Sequence, residues 1–173
     1  MKLIILAAGE GKRLRPLTDN SPKCLVDLKG QSLLSRQLST IKANFISSKD
    51  IAIVGGYKHA DLTSFGLQVF NNARFSSTNM VSTLFCASNF MVQNEDLIIS
   101  YGDIVYEEKV LETLLGSDAE LSVVADKSWE RLWRLRMSNP LNDAETFIMD
   151  GKQHITELGK RPKSISQVQA QYI

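Results

Sequence analysis

LIILAAGEGKRL, residues 3–14, contains the clearest indication of how this chain folds. Leu3 to Leu6 are all apolar, which is typical of a strand buried on both faces of a parallel sheet. Ala7 to Gly11 are mostly alanine and glycine, so a ligand can approach the backbone closely there. Open α/β sheets bind ligands at the carboxyl ends of their strands. The segment therefore predicts a buried strand that ends in a ligand-binding loop.

The chain that follows alternates short apolar runs with longer amphipathic ones, which indicates strands alternating with helices. We predict further strands at Ile51–Val54, Leu67–Phe70, Leu97–Ile99 and Leu121–Val124. We predict helices within Gln31–Asn44, Ala60–Phe65 and Val110–Leu115. Alternation of this kind is typical of a parallel sheet covered on both faces, so the predicted class is a doubly wound α/β fold.

Two further elements have distinct patterns. A helix capped by Ser77 or Thr78 is expected to turn Val81, Leu84, Phe85 and Phe90 inward. Near the C-terminus, Thr146–Met149 and His154–Ile155 flank an Asp-Gly pair, which predicts an antiparallel hairpin. A last strand is predicted at Val168–Ile173. The sheet should therefore be mixed, with antiparallel strands late in the chain.

Length and composition exclude several classes of protein. At 173 residues the chain is long enough for one domain, so we expect a single domain over residues 1–173. Its net charge of +1 argues against a nucleic-acid partner. The apolar run Leu3–Ala8 is too short for a signal peptide or a membrane span, so we expect a cytoplasmic protein without a membrane partner. Cys24 and Cys86 form no zinc-binding motif and are expected to be free thiols.

The first loop has the chemistry of a phosphate site. Backbone N–H groups of small residues can approach phosphate oxygens closely, and Arg13 and Lys23 add positive charge. The alternative is a glycine-rich turn that only links strand to helix. A Rossmann dinucleotide fingerprint does not fit, because Leu14 stands where a third small residue is needed, and no P-loop motif is present.

The stretch from Leu6 to Leu25, LAAGEGKRLRPLTDNSPKCL, resembles the pattern LAAGxGxRLxPLTxxxPKxL without a break. That pattern belongs to the nucleotidyltransferase family that includes sugar-phosphate nucleotidyltransferases and CTP:phosphocholine cytidylyltransferase. The resemblance implies a Rossmann-like catalytic fold of the nucleotide-diphospho-sugar transferase type. It implies that Arg13 and Lys23 are catalytic residues on the phosphates of a bound NTP. The loop residues implied to bind the nucleotide are Leu6, Ala7, Ala8, Gly9, Glu10 and Gly11.

Asp103 is the candidate metal ligand. It follows the predicted strand Leu97–Ile99, so it should lie at the same sheet edge as the first loop. Mg²⁺ binds one or two carboxylates together with phosphate oxygens. The alternative is an N-cap or turn aspartate before the next helix. The resemblance favours the metal role, because the family has its metal-binding aspartate in a Gly-Asp motif.

Further candidates come from the resemblance or, for Lys127 and Trp129, from position in the chain. Gly56 and Tyr57 match an element that lies near the base, and Asn79 and Thr83 lie in a segment along the nucleotide, although a helix-capping cluster is the alternative there. Later in the chain, Lys127 is a candidate catalytic lysine, or a solvated lysine beside Asp126. Trp129 and Trp133 share one helix face, so Trp129 is a candidate for cation–π contact with a quaternary ammonium acceptor. Packing is the alternative for Trp129. By the resemblance, Lys160 matches a lysine that meets the acceptor phosphate.

The resemblance is greatest to bacterial cytidylyltransferases of surface-polysaccharide pathways. It implies Mg²⁺-dependent transfer of CMP from CTP to a small phosphocholine- or phosphoglutamine-like acceptor, with release of pyrophosphate. One alternative is a sugar-1-phosphate nucleotidyltransferase that uses UTP, dTTP or GTP, and another is a silent nucleotide-binding module. The family usually continues past residue 173 with a second metal carboxylate, so we expect this domain to lack its C-terminal part. Family members often form homodimers, which makes a homodimer a candidate assembly.

Overall fold

The structure is a computed structural model that describes residues 1–44 and 46–172. The chain divides into two compact units, Met1–Leu115 and Gly116–Ile173. The expectation of one nucleotidyltransferase domain over residues 1–173 stays a prediction. In the described part of the chain, no helix combines the length and the apolar composition that crossing a membrane requires.

The first unit is built on four parallel strands, β1 (Lys2–Ala7), β2 (Ile51–Gly55), β3 (Gln68–Asn71) and β4 (Leu97–Tyr101). They form one sheet in the order β3-β2-β1-β4. The chain enters the sheet at its centre, with β1, and then adds strands on both sides. Because β2 and β4 lie on opposite sides of β1, the strand order reverses beside β1, where open α/β sheets bind ligands. These strands confirm the parallel sheet predicted from the apolar runs.

Helices cover both faces of this sheet. On one face α1 (Leu33–Ala43) and α3 (Glu108–Leu115) pack against alternate residues of β1, including Leu3 and Ile5. On the other face Ile4 lies in a second cluster with Ala87 and Phe90. Burial on both faces explains why β1 is a continuous apolar run. The doubly wound α/β class predicted from the sequence is confirmed.

Helix α2 (Met80–Phe85) begins later and faces differently from the prediction. Its N-cap is Asn79, whose side chain accepts a hydrogen bond from the backbone N–H of Ser82 at 3.0 Å, so a Ser77 or Thr78 cap is wrong. The inward stripe runs through Thr83, Ala87 and Phe90, at a spacing of four and then three residues. Val81 and Phe85 therefore lie on the outer side, 54% and 61% exposed.

The second unit contains short antiparallel pairs. The predicted hairpin is confirmed, because β6 (Phe147–Met149) pairs antiparallel with β7 (Ile155–Leu158). The strand predicted at Leu121–Val124 is wrong. Among the described residues, backbone pairing with β8 (Gln171–Tyr172) begins at β5 (Ala125–Asp126), and Leu121 is exposed. The predicted last strand is shorter than expected, and its residue Ile173 lies outside the described residues. Helix α4 (Trp129–Arg136) completes the unit.

Candidate active site

The loop after β1 is closed by contacts that require glycine. Gly11 has a φ of +65°, and a Cβ there would lie 3.0 Å from the Lys23 Cβ and 3.0 Å from the Thr18 Cγ2. Thr18 is fully buried, and its hydroxyl donates to the Gly11 carbonyl at 2.9 Å. The loop therefore folds back over its own strand end and brings Lys23 beside Gly11.

Gly56 and Tyr57 lie against the same loop. The backbone N–H of Tyr57 donates to the Ala8 carbonyl at 3.1 Å. A Cβ on Gly56 would lie 2.9 Å from that carbonyl oxygen and 2.5 Å from the Phe75 Cβ, so no larger residue fits without displacement. The Tyr57 hydroxyl donates to the Asp19 carbonyl at 2.7 Å. The structure therefore brings together two segments that the resemblance assigns to the nucleotide.

Asp103 meets Lys23 at this strand end. The backbone N–H of Gly102 donates to the Leu6 carbonyl at 2.9 Å, which places the next residue, Asp103, beside the first loop. Lys23 Nζ forms an ion pair with the Asp103 carboxylate, and both side chains are 33% exposed. Helix α3 begins only at Glu108, so the N-cap alternative does not apply to Asp103.

The basic residues of the loop differ in how they are neutralised. Glu10 forms ion pairs with Lys12 at 3.0 Å and with Arg15 at 3.8 Å, and Arg15 also pairs with Asp19 at 3.4 Å. Arg13 is exposed and has no acidic partner within residues 1–44 and 46–172. Its guanidinium group is therefore available to an anion, whereas its neighbours are already paired.

Asn79 is the N-cap of α2, and Thr83 lies in its first turn. Asn79 is exposed and caps the helix. Thr83 is buried, and its hydroxyl donates to the Asn79 carbonyl at 3.2 Å and accepts from the Asn72 side chain at 3.0 Å. The hydroxyl is thus used inside the protein, as the capping alternative implies, while the exposed Asn79 side chain is accessible to a ligand.

Two buried polar residues beside the site are not predicted from the sequence. Gln37 of α1 donates through its side-chain amide to the Ser100 hydroxyl at 3.0 Å and to the Tyr101 carbonyl at 2.9 Å, just before Asp103. Asn72, the residue directly after β3, is the second buried polar residue. The available signal for Gln37 is its position on the apolar face of α1, between Leu34 and Ile41.

In the second unit, Lys127 and Trp129 have different surroundings. Lys127 is exposed, and the neighbouring Asp126 accepts from the Ser128 backbone N–H at 2.7 Å. Trp129 is only 2% exposed, donates through Nε1 to the Val168 carbonyl at 3.0 Å, and contacts Trp133 edge-on with centroids 5.9 Å apart. This placement supports the packing alternative for Trp129, because a buried ring presents no face to a solvated cation.

Lys160 lies at a depression of about 410 Å³. Its Nζ pairs with Glu157 at 2.6 Å, and this hydrogen bond lowers the pKa of the Glu157 carboxyl. Glu145 is fixed at the same depression by the Tyr172 hydroxyl at 2.7 Å. The surface is therefore of small-molecule size and has charges of both signs. Its lining residues are Leu141, Asn142, Asp143, Ala144, Glu145, Gly159, Lys160 and Arg161.

The donor set at the first loop suits magnesium only if a substrate completes it. No group of three or more His, Cys, Asp or Glu side chains that could hold a metal exists among the described residues. Asp103 offers a carboxylate next to the loop, where it pairs with Lys23. Mg²⁺ commonly binds protein through one or two carboxylates and takes its other ligands from phosphates and water. Asp103 fits that role.

The two cysteines should differ sharply in reactivity. Burial beneath the loop raises the pKa of the Cys24 thiol to about 12, whereas Cys86 is exposed. Because the thiolate is the reactive form, we expect iodoacetamide at about pH 8 to modify Cys24 more than about tenfold more slowly than Cys86. Mass spectrometry of the native protein measures both rates, and the urea-unfolded protein is the control. Equal rates in the native protein would contradict the burial of Cys24.

Comparison with known proteins gives the family. The MobA-like NTP transferase domain matches residues 3–155 of the chain. This chain belongs to the MobA-like NTP transferase domain family. The nucleotidyltransferase family expected from residues 6–25 is thereby confirmed.

Relatives of this MobA-like chain include cytidylyltransferases. A CTP:phosphoglutamine cytidylyltransferase from Campylobacter jejuni is 42% identical over 100% of the chain and 71% of its own length. A choline-phosphate cytidylyltransferase from Streptococcus pneumoniae is 36% identical over 49% of the chain and 38% of its own length. The MobA-like chain therefore spans only part of the length of each relative.

A solved structure agrees with the fold of the MobA-like chain. The inositol-1-phosphate CTP transferase from T. maritima superimposes with a TM-score of 0.68 at 21% identity, over 99% of this chain and 66% of that one. The expected nucleotide-diphospho-sugar transferase fold is confirmed.

Proposed function

We propose that the protein is a cytidylyltransferase that transfers CMP from CTP to a small phosphorylated acceptor and releases pyrophosphate. The observation that carries the proposal is the meeting of Lys23 and Asp103 at the glycine loop, in a chain 42% identical to a CTP:phosphoglutamine cytidylyltransferase. The acceptor we propose is phosphocholine- or phosphoglutamine-like, as the names of the relatives suggest. A role in surface-polysaccharide synthesis is part of the same proposal.

The reaction needs positioning and charge stabilisation more than acid–base chemistry. An oxygen of the acceptor phosphate attacks the α-phosphorus of CTP. The bond between that phosphorus and the oxygen bridging to the β-phosphorus breaks, and pyrophosphate leaves with the electron pair. A phosphate monoester is already an anion at neutral pH, so no general base is required.

The residues of the first loop have separate roles in this proposal. Backbone N–H groups between Ala8 and Gly11 bind phosphate oxygens, and Arg13, which has no acidic partner in the described part of the chain, adds a guanidinium group. Lys23 moves from Asp103 to a phosphate oxygen, which leaves the Asp103 carboxylate free for a cation. Magnesium, when bound, neutralises charge on the phosphate oxygens.

The acceptor is proposed to use residues of the second unit. Lys160 lies at a depression of about 410 Å³, large enough for a small phosphorylated molecule. Lys127 is exposed and carries no described ion pair, so it is a second candidate for a phosphate. Trp129 is left out of the proposal, because it is buried.

Calorimetric titration with CTP, UTP, ATP, GTP and dTTP, each with Mg²⁺, tests the donor. We expect CTP to bind at least about tenfold more tightly than the other nucleotides. Pyrophosphate release with phosphocholine and with phosphoglutamine then tests the acceptor. Preference for UTP, dTTP or GTP, with turnover of a sugar 1-phosphate, would contradict the proposal and support the sugar-phosphate branch.

Asp103→Asn is expected to remove the effect of magnesium on nucleotide binding. The amide keeps the size of the side chain but lacks the charge that attracts a divalent cation. We expect Mg²⁺ to tighten CTP binding to the wild-type chain but to change binding to the variant less than about twofold. Calorimetry with and without EDTA measures this, and Asp61→Asn, at an exposed position, is the matched control. An unchanged magnesium effect in Asp103→Asn would remove Asp103 from the metal site.

A further inference from the structure

Asn72 is a buried polar residue whose hydrogen bonds are all made inside the protein. It follows β3 directly and is 3% exposed. Its Nδ2 donates to the Thr78 hydroxyl at 2.9 Å and to the Thr83 hydroxyl at 3.0 Å, and its Oδ1 accepts from the Arg74 N–H at 3.0 Å. Both protons of the amide and its oxygen are thus used. A fully satisfied polar group in a core specifies one arrangement of its neighbours, because any other arrangement leaves buried atoms unpaired.

The partners of Asn72 are oriented so that only a donor fits between them. The Thr78 hydroxyl gives its own proton to the Arg74 carbonyl at 2.8 Å, and the Thr83 hydroxyl gives its proton to the Asn79 carbonyl at 3.2 Å. Each hydroxyl therefore presents a lone pair to the Asn72 amide. Alanine or leucine at residue 72 would leave both lone pairs without a donor.

The backbone of Asn72 connects this network to the end of β2. Its N–H donates to the Gly55 carbonyl at 2.8 Å, directly before Gly56 and Tyr57. Its carbonyl accepts from the N–H of Phe75 at 3.1 Å, and the Phe75 ring contacts Tyr57 edge-on with centroids 6.3 Å apart. One residue thus fixes the Gly56–Tyr57 segment and the first turn of α2 with respect to each other.

We propose that Asn72 is the positioning residue of the nucleoside-binding part of the site, and that it sets the preference for the base. The proposal rests on the proposed function, since it takes Gly56, Tyr57 and Asn79 as residues that contact the nucleotide. Asn72 does not contact the nucleotide itself. Its hydrogen bonds lie within residues 55–83, so it acts on the segments assigned to the nucleoside. The phosphate loop that contains Arg13 and Lys23 is one contact further away, through the Tyr57 N–H that donates to the Ala8 carbonyl.

The test compares Asn72→Ala with Asn71→Ala, the same change at the preceding, exposed residue of β3. Each protein is titrated calorimetrically with CTP, with UTP and with inorganic tripolyphosphate, all with Mg²⁺. For Asn72→Ala we expect CTP affinity to fall by about tenfold or more, tripolyphosphate affinity to change by less than about twofold, and the ratio of CTP to UTP affinity to decrease. For Asn71→Ala we expect all three affinities to stay at wild-type values.

A merely structural role would give a different result. Loss of general order would weaken CTP and tripolyphosphate equally and leave the ratio of CTP to UTP unchanged, and this outcome would overturn the proposal. If Asn72→Ala does not fold, Thr78→Val removes one acceptor of the Asn72 amide at nearly constant side-chain volume. Thr78→Val is expected to show the same selective loss of CTP affinity. If it does not, the proposal is overturned.

The wild-type titration separates this inference from the proposed function. If the wild-type chain binds no nucleotide, both are overturned. If it prefers another nucleotide, the cytidylyltransferase proposal fails, but Asn72→Ala must still reduce the preference for whichever base is favoured. If it prefers CTP and Asn72→Ala behaves like Asn71→Ala, the proposed function stands and the role of Asn72 is wrong.

Discussion

Arg13→Ala is expected to weaken CTP binding by about ten- to a hundredfold, which corresponds to the ~1.5–3 kcal/mol of a hydrogen bond to a charged group. Arg13 lies in the short turn Lys12–Leu14 after the glycine loop and has no acidic partner among the described residues. A bound triphosphate would therefore interact with the full charge of the Arg13 guanidinium group, because no existing ion pair has to be broken first. Calorimetry with CTP and with cytidine measures the effect, and the loss should be confined to CTP.

Lys12→Ala is the matched control for Arg13→Ala. Lys12 is the preceding residue and is also exposed, but it is already paired with Glu10 at 3.0 Å. Its removal should change CTP affinity by less than about threefold, because an exposed ion pair contributes little. Equal losses of CTP and cytidine in Arg13→Ala would show that Arg13 does not act on the phosphates. Equal effects of Arg13→Ala and Lys12→Ala would show a general effect of loop charge.

Gly56→Ala is expected to lower the free energy of unfolding by about 1–3 kcal/mol, the usual cost of overpacking a tight site. The added methyl group would lie 2.5 Å from the Phe75 Cβ and 2.9 Å from the Ala8 carbonyl oxygen. Relief requires a shift of the backbone, because neither neighbour is the end of a flexible side chain. Urea denaturation followed by circular dichroism measures the change.

Gly9→Ala provides the comparison for Gly56→Ala in the same unit. A Cβ on Gly9 would meet nothing within 4 Å, so the free energy of unfolding should stay within about 0.5 kcal/mol of wild type. If both variants lose equal stability, the loop as a whole disfavours alanine, and the close approach of Gly56 to Ala8 is not the reason.

The sheet and the meeting of its strand ends are predictable because they depend on local pattern and a general rule. The apolar runs at Leu3–Leu6 and Ile51–Val54 indicate buried strands without knowledge of their partners. The rule that parallel strands end at one edge places Asp103 beside the loop of Gly11. The Asp150-Gly151 pair predicts the position of the hairpin turn, although the residue that takes the left-handed conformation there is Gln153, with a φ of +66°.

Other features depend on partners that are distant in sequence. The Leu121–Val124 run has the composition of a strand, but a strand also needs a neighbouring backbone, and within residues 46–172 β8 pairs only with Ala125 and Asp126. Nothing in the sequence around Asn72 and Gln37 marks these polar residues as important to the site. Their importance comes from the Thr83 hydroxyl and the Ser100 hydroxyl that face them, and these contacts follow only from the folded chain.

The ion pair between Lys23 and Asp103 affects how a metal cation and a triphosphate can bind together. A metal cation alone must compete with Lys23 for the carboxylate, and a metal-free phosphate must compete with Asp103 for the ammonium group. A magnesium nucleotide brings a cation for Asp103 and an anion for Lys23 at the same time. Breaking one ion pair within the protein therefore allows two new ones with the ligand to form. In the proposed mechanism Mg²⁺ and the nucleotide are therefore thermodynamically coupled, each raising the affinity for the other by the same factor. Under the proposed function, we therefore expect the unliganded protein to bind the magnesium complex of the triphosphate in preference to free triphosphate or free divalent cation.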